Sequence, residues 1–394
     1  MQFKEQDKLR VLVFNNFYLP GFKGGGPIKT LKNLFDETGN NISYKLVTSD
    51  RDLGDNVPYP NIHYNDWKTV GNTDVLYIRP KIKGYINIFK GLSKNSYDLL
   101  YLNSFFSIRF SLLPLLIAKS QKKPVVLGPR GEFSEGALSL KPLRKKLYIS
   151  FYRKLGLHHN TVFQASSLHE EGDIKKELGN EIDVFIAEDI GSAEFAKNIS
   201  REDNKTIKAV FISRISPKKN LIIALKALNS VDYPLLYHIY GPIEDEDYWK
   251  QCQNIITKLP CHITVEYKGE LIPEQVITKL SQYDFFFMPT KGENYGHVIA
   301  EALCAGLPLV ISDTTPWRNL KDLGLGWDLP LNNINKFSSV INELSQMPIN
   351  EHLKMRTHIL NWAKQKFTEL NAVQANISMF HYAYQKKKGT NNNV

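Results

Sequence analysis

The sequence predicts an α/β protein with two domains, each built on a parallel sheet. Short apolar runs alternate with segments of helical spacing along the chain, and most of these runs end in polar residues. The 394 residues, 42% of them apolar, suffice for two hydrophobic cores. A polar run that ends at residue 208 separates two halves of similar pattern. We therefore predict domains at 1–195 and 209–370, a linker at 196–208 and a final helix at 371–388.

In the first half, a glycine-rich loop connects the first predicted strand to a helix. Gly24, Gly25 and Gly26 allow positive backbone angles and close approach of a ligand, and Pro27 suits the first turn of a helix. The loop has neither the dinucleotide-binding nor the P-loop pattern, so a mobile surface loop is the alternative to a ligand site. Strands are predicted at 9–15, 44–50, 74–80, 98–104, 123–133, 161–167 and 184–190.

Residues 121–160 form a basic region, with nine lysines and arginines against two glutamates. Within it, Leu143, Leu147, Phe151 and Leu155 fall on one stripe of a predicted helix. A basic amphipathic helix can lie on anionic lipid. The alternative is an ordinary packed helix with a solvated basic face.

The second half opens with a strand, a turn and a helix that place two cations at the carboxyl end of the strand. Arg214 and Lys219 are five residues apart across this turn, with Lys218 beside them, which suits a diphosphate. The acidic run at 244–247 predicts a helix start rather than a metal site, because acidic side chains complement the helix dipole. Further strands are predicted at 235–241, 261–271, 283–289 and 307–312.

Glu293 and Glu301 lie eight residues apart across a turn that contains Gly296 and opens a helix. In open parallel sheets, ligands bind in the crevice beyond the carboxyl ends of the strands, and Glu293 is predicted to lie there. The helix amino terminus suits a phosphate, and carboxylates accept hydrogen bonds from hydroxyls. A ligand with both kinds of group is a nucleotide sugar.

The run G-E-N-Y-G-H-V-x-x-E-A-L-x-x-G-x-P around these glutamates resembles the E-x7-E signature of the retaining GT-B glycosyltransferases, family four in particular. The resemblance implies a GT-B fold, with two Rossmann-like domains whose parallel sheets face each other across a cleft. It implies that Glu293 contacts the donor sugar near the reacting carbon and that Glu301 holds the ribose. Arg214 and Lys219 resemble the R-x4-K element that neutralises the leaving diphosphate.

The same resemblance assigns roles to other residues and segments. It implies that the first domain binds the acceptor and that the last helix crosses back to this domain. Many relatives carry a histidine near Arg130 and Glu132, whereas this chain has the P-R-G form. The implied donor-binding residues are Gly25, Gly26, Arg130, Arg214, Lys219, Tyr267, Lys268, Glu293, Asn294, Tyr295, Gly296, His297 and Glu301.

The resemblance implies a transfer that retains the anomeric configuration. The residues would support this transfer without a metal ion, because Arg214, Lys219 and helix amino termini supply the positive field at the leaving phosphate. No cofactor is expected. The expected donor is a UDP-sugar, with GDP-sugars second. The expected acceptor is a lipid-linked glycan or polysaccharide, in the synthesis of O-antigen, capsule or exopolysaccharide.

The composition bounds the location and the alternative functions. Cys252, Cys261 and Cys304 show no metal or disulfide spacing, which favours a reducing cytoplasm. The amino terminus does not resemble a signal peptide, and the formal charge of +10 favours anionic partners, including the inner face of a membrane. Three alternatives are an epimerase or hydrolase of the same fold, a membrane-bound scaffold and a nucleic-acid-binding protein. Nucleic acid is disfavoured because the basic region has little aromatic interleaving of a base-stacking kind, and because two α/β halves match no module typical of such binding.

Overall fold

The computed structural model describes residues 8–60, 62, 66–79, 96–191, 194–201 and 206–391. The chain divides into two compact units, of which the first comprises residues 1–190 and 370–394 and the second residues 191–369. Each unit has its own sheet and its own buried apolar core.

The first unit has an eight-stranded sheet in the order β3-β4-β2-β1-β5-β6-β7-β8. Strand β3 is antiparallel to β4, and the remaining pairs are parallel. Parallel strands buried on both faces are expected to be nearly continuous apolar runs, as β1 and β5 are. The strands are β1 (Leu9–Phe14), β2 (Ile42–Ser49), β3 (Trp67–Val70), β4 (Thr73–Ile78), β5 (Leu99–Leu102), β6 (Val125–Leu127), β7 (Thr161–Ala165) and β8 (Asp183–Ile186).

Helices pack on both faces of this sheet, in two separate apolar clusters. The last helix of the chain belongs to this unit, where Phe380 packs edge-on against Tyr101 of β5 at 5.1 Å. The helices are α1 (Gly26–Thr38), α2 (Leu113–Ser120, after a π-helical turn at Ile108–Leu112), α3 (Glu135–Leu138), α4 (Pro142–Lys154), α5 (Leu168–Leu178) and α12 (Asn371–Asn391).

The second unit has a six-stranded, all-parallel sheet in the order β11-β10-β9-β12-β13-β14. Its strands are β9 (Ile207–Ile212), β10 (Leu235–Tyr240), β11 (Ile263–Tyr267), β12 (Phe285–Met288), β13 (Leu309–Ser312) and β14 (Gly326–Leu329). Its helices are α6 (Leu221–Leu228), α7 (Glu246–Ile256), α8 (Val276–Leu280, after a 3-10 turn at Pro273–Gln275), α9 (His297–Cys304), α10 (Ile334–Gln346) and α11 (Ile349–Thr368).

Both predicted sheets are confirmed, with differences at the strand ends and edges. The predicted strand at 123–133 is shorter, because only Val125–Leu127 pairs before the chain turns. Strands β3 and β14 were not predicted. In β14, Gly326 has a φ of +138°, and an added Cβ would lie 2.1 Å from the backbone oxygen of Leu309. A glycine is therefore needed at this edge strand, and glycine is a poor signal for a strand.

Two helices begin at a capping side chain, and the helix start predicted at 244–247 is confirmed. Ser167 caps α5 by accepting a hydrogen bond from the backbone N–H of Glu170 at 3.2 Å. Asp245 caps α7 in the same way through the N–H of Tyr248 at 2.9 Å.

Within the described residues, no helix combines the length and the apolar character needed to cross a membrane.

Candidate functional site

The second unit joins Glu293 and Lys219 in an ion pair at the carboxyl edge of its sheet. Strands β9 and β12 are parallel neighbours, so the loops that follow them emerge at the same edge. Lys219 lies after β9 and Glu293 lies after β12, and Lys219 Nζ is 2.6 Å from Glu293 Oε1. The two side chains are only 12% and 10% exposed, respectively. The structure therefore brings a shielded cation and a shielded carboxylate to one point.

Charge controls the ionisation of Glu293. Burial by itself would raise the pKa of this carboxyl, but the charges of Lys219 and Lys218 and hydrogen bonds from Lys219 and Thr290 outweigh it. The pKa of Glu293 is therefore lower than its ordinary value of 4.5. At neutral pH the group is a carboxylate, able to accept hydrogen bonds from hydroxyl groups.

Hydrogen bonds between the two loops hold this pair in place. Asn220 adopts a left-handed conformation with a φ of +60°, and its side-chain amide donates to the backbone oxygen of Pro289 at 2.9 Å. The backbone N–H of Lys291 donates to the backbone oxygen of Lys218 at 2.9 Å. The hydroxyl of Thr290 donates to that same oxygen at 3.2 Å. These contacts bind the β9 loop to the β12 loop on both sides of the ion pair.

Gly296 directs the chain from the β12 loop into α9. It has a φ of +81°, which a side chain rarely adopts, and α9 starts at His297. Glu301 is buried in this helix, five residues after Gly296. The helix amino terminus and its positive dipole end thus lie directly after the loop that carries Glu293.

The residues around Gly296 are held by aromatic contacts. The indole N–H of Trp317 donates to the backbone oxygen of Tyr295 at 2.5 Å, and the rings of Tyr295 and His297 have centroids 4.9 Å apart. Trp317 is partly buried and also packs edge-on against Phe367 at 6.2 Å. Asn294 lies in the same loop. Trp317 therefore supports the loop, as expected of a packed aromatic residue.

Arg214 also follows β9, but it forms an ion pair with Glu244 rather than with Glu293. Its Nη1 lies 2.8 Å from Glu244 Oε1, and both side chains are about one-third or more exposed. An exposed pair of this kind contributes little to stability, so an incoming anion can replace Glu244 at low cost. The run at 244–247 thus has two functions, because Asp245 caps α7 whereas Glu244 holds Arg214.

Tyr267 and Lys268 lie at the end of β11, beside the turn that follows β10. The Tyr267 hydroxyl donates to the backbone oxygen of Gly241 at 2.9 Å, and Lys268 pairs with Glu266. Gly241 has a φ of +130°, and an added Cβ would lie 2.1 Å from the backbone oxygen of Ser213. Gly241, to which Tyr267 donates, therefore packs directly against Ser213, the residue before Arg214.

In the first unit, Gly25 and Gly26 form the start of α1. Gly25 has a φ of +69°, and an added Cβ there would contact nothing within 4 Å. The backbone conformation, rather than lack of space, therefore requires glycine at this position. Gly26 is the first residue of the helix.

Arg130 lies in a dense polar network of the first unit. Its Nη1 is 2.5 Å from Asp189 Oδ1, and Nη2 donates to Asn103 Oδ1 at 2.8 Å, to Gln164 Oε1 at 3.2 Å and to the hydroxyl of Tyr101. The guanidinium is therefore already engaged by the protein, which is a structural arrangement that the P-R-G pattern did not indicate.

A cavity of about 160 Å³ lies beside this network. Glu132 borders it, and its carboxylate accepts hydrogen bonds from Ser104 Oγ at 2.7 Å, from the N–H of Phe106 at 3.1 Å and from the N–H of Phe105. Burial raises the pKa of Glu132 above its ordinary value, although these donors and the charge of Lys145 lower it. The lining residues are Asn15, Asn16, Phe17, Gly24, Pro27, Ile28, Leu53, Asn103, Ser104, Arg130 and Glu132.

Sequence reasoning did not identify Asn220, Thr290, Asn103 or Asp189 as parts of these sites. A weak signal exists for Asn220, because asparagine tolerates the left-handed conformation and it directly precedes an apolar helical run. Asn103 and Asp189 lie just after β5 and β8, where polar residues gather in parallel sheets. Across the described ranges, no group of three or more His, Cys, Asp or Glu side chains is arranged to hold a metal ion.

The two Rossmann-like units with parallel sheets define the GT-B fold, and solved structures with this fold match almost the whole chain. HepE from Anabaena, in complex with UDP-glucose, has a TM-score of 0.69 at 14% identity, covering 98% of this chain and 100% of HepE. Sucrose-phosphate synthase from Thermosynechococcus elongatus has a TM-score of 0.74 at 12% identity, covering 97% and 100%. WaaG, a glycosyltransferase involved in lipopolysaccharide biosynthesis, has a TM-score of 0.65 at 12% identity, covering 94% and 99%. The predicted GT-B fold is confirmed.

Residues 192–365 match the family Glycosyl transferases group 1. The match covers less than half of the chain, and it includes Arg214, Lys219, Glu293 and Glu301. The matched residues lie within the second unit. No curated protein matches the sequence.

Proposed function

We propose that this protein is a retaining glycosyltransferase that moves a sugar from a nucleotide-sugar donor to a lipid-linked glycan or polysaccharide. The observation that carries the proposal is the shielded Lys219–Glu293 ion pair, 2.6 Å long, at the carboxyl edge of the group 1 domain. It lies on loops joined by hydrogen bonds, and α9 with the buried Glu301 starts directly after it. This arrangement offers a cation for phosphate and carboxylates for hydroxyls at one edge of the sheet.

In the proposed reaction, the bond from the anomeric carbon to the diphosphate oxygen breaks, and its electron pair leaves with the nucleoside diphosphate. The acceptor hydroxyl oxygen forms the new bond to that carbon on the same face, and its proton passes to the departing diphosphate. Lys219, Arg214 and the amino terminus of α9 stabilise the charge that grows on the leaving phosphate, without a metal ion. Glu293 orients the sugar hydroxyls, while Glu301 binds the ribose.

The donor is proposed to be a UDP-sugar, with a GDP-sugar as the second choice. HepE, whose fold this chain shares, is solved with UDP-glucose and with UDP and glucose. In this chain the nucleoside is proposed to lie near Tyr267 and Lys268, beside the turn at Gly241 that leads to the Arg214 segment. Asn294, Tyr295, Gly296 and His297 are proposed to contact the sugar or the phosphates.

Titration with nucleotides tests the donor site, with thermal unfolding as the readout. We expect UDP or a UDP-sugar to raise Tm, equally with Mg²⁺ and with EDTA, and Glu301→Ala to abolish the shift because the ribose loses its partner. The matched control is Glu343→Ala, an exposed glutamate of the same unit, which should keep the full shift. No shift with UDP, GDP or ADP nucleotides would refute the proposed site.

The configuration of the product tests the reaction. Proton NMR should show the donor's anomeric configuration retained in the product, with the rate unchanged by EDTA. Inversion, a requirement for a divalent ion, or conversion of the donor without any acceptor would each contradict the proposal.

The cavity of the first unit that Glu132 borders is proposed to bind acceptor hydroxyls. Its lining includes both donors and acceptors of hydrogen bonds, as a glycan requires. These groups belong to Asn15, Asn16, Ser104 and Glu132. We expect Glu132→Gln to raise the acceptor KM by about 10-fold while leaving the nucleotide Kd unchanged, since a charged acceptor of hydrogen bonds becomes neutral. Glu135→Gln, an exposed neighbour, is the control. An unchanged acceptor KM in Glu132→Gln would remove this cavity from the proposal.

The likeness to WaaG supports a proposed role in surface polysaccharide synthesis, as for O-antigen, capsule or exopolysaccharide.

A further inference from the structure

Helix α4 (Pro142–Lys154) presents an apolar stripe to solvent. Leu143, Leu147 and Phe151 recur every four residues and are 77%, 72% and 52% exposed. We call these three residues the α4 stripe. Leu140 before the helix and Leu155 after it are also more than half exposed. Single exposed apolar residues are common on protein surfaces, but a continuous stripe of this size marks an interaction site.

The core-facing side of α4 consists of different residues. Ile149 and Tyr152 are buried in the core of the first unit, where the Tyr152 ring lies 4.6 Å from that of Phe105. Tyr148 packs against the same Phe105 at 5.4 Å. The inner side therefore fixes the helix on the sheet, and the α4 stripe is not needed to complete the core.

The surface around the α4 stripe is strongly basic. Residues 139–160 contain no aspartate or glutamate. The cations Lys141, Arg144, Lys146, Arg153 and Lys154 are all exposed. A rim of lysine and arginine around exposed leucine and phenylalanine side chains complements a layer of anionic headgroups over acyl chains.

We propose that the α4 stripe docks the first unit onto an anionic membrane surface, with Leu143, Leu147 and Phe151 inserted at the headgroup boundary. Charge complementarity selects this occupant. A second copy of the same surface would bring the five exposed cations of each copy together without an acidic partner. Nucleic acid would satisfy the cations but not the apolar side chains. The proposal concerns a helix lying in the interface, and it does not rest on the proposed activity.

Flotation of the full-length protein with two kinds of vesicle tests the inference. One kind is pure phosphatidylcholine, and the other is an equimolar mixture with phosphatidylglycerol. We expect binding to the mixed vesicles that weakens as salt is added, and at least a ten-fold loss of binding in Leu143→Ser/Leu147→Ser/Phe151→Ser. Arg144→Glu/Lys146→Glu should also weaken binding, since the rim attracts the headgroups.

Matched controls separate the α4 stripe from general surface effects. Leu323→Ser/Ile272→Ser removes exposed apolar side chains from the second unit, and Lys321→Glu/Lys364→Glu reverses exposed charges there. Both should bind vesicles like the wild type. Equal binding by the triple serine variant, or no binding by the wild type, would overturn the proposal. So would a wild-type dimer that the triple serine variant converts to a monomer. Tm should stay unchanged in the triple variant, because its residues are exposed.

Discussion

Lys219→Met is expected to lower kcat by about 100-fold or more, with a smaller increase in the donor Kd. The methionine keeps the apolar stem and removes the charge that lies 2.6 Å from Glu293. In the proposed reaction this charge is needed most when negative charge gathers on the leaving phosphate, so its loss acts on the transition state more than on the ground state. Steady-state kinetics and donor binding, measured on the same preparation, check both parts.

Two further variants make this prediction specific. Lys226→Met removes an exposed lysine from α6, the helix that begins two residues after Lys219, and should leave kcat unchanged. Lys219→Arg keeps the charge and should recover part of the rate. If Lys219→Met weakened donor binding and lowered kcat/KM while kcat stayed at the wild-type level, Lys219 would bind the donor without stabilising the leaving group.

The sequence predicted the strands and helices around Glu293 well because they follow local patterns. Glu293, Gly296 and Glu301 lie within one strand-loop-helix segment, and the carboxyl ends of parallel strands necessarily meet at one edge. The direct contact between Lys219 and Glu293 could not be predicted from the sequence. It depends on the register between β9 and β12 and on Asn220 holding the two loops together, neither of which is visible along the chain.

Long-range partners explain what the sequence could not predict. Arg214 and Lys219 are predicted to face a diphosphate together, and the fold gives Arg214 a partner, Glu244, that lies thirty residues away. The resemblance implies that Arg130 binds the donor, and the fold gives its guanidinium Asp189, fifty-nine residues away, as a partner. Which side chains surround an arginine is decided by sheet order, and hydrophobic periodicity carries no information about that order.

The α4 stripe shows the same limit in another form. A four-residue spacing of Leu143, Leu147 and Phe151 predicts that these residues share a face of a helix, and the structure confirms it. The spacing alone does not indicate whether that face packs against the core or lies in solvent. In this helix Ile149 and Tyr152, which form a shorter stripe, face the core.

Glu293→Gln is expected to lower the rate of transfer by about 100-fold and the unfolding free energy at neutral pH by about 2 kcal/mol. The second effect arises because Lys219 loses its counter-ion in a shielded position. The pKa of Glu293 is lower in the folded protein than its ordinary value of 4.5, so the folded state favours the carboxylate. Its contribution to stability is therefore complete above the unfolded pKa and is lost as the pH falls through the folded pKa.

Denaturant unfolding between neutral and acid pH measures this loss in the wild type and in Glu293→Gln. The difference between their unfolding free energies should stay constant down to about pH 5 and should narrow below 4.5, because only the wild-type carboxylate can be protonated. Glu343→Gln, which changes an exposed glutamate, should follow the wild type at every pH. A difference that instead widened as the pH fell from neutral toward 5 would mean that burial outweighs the lysine charges and raises the pKa of Glu293, which would then be protonated too readily to act as the carboxylate in the proposed reaction.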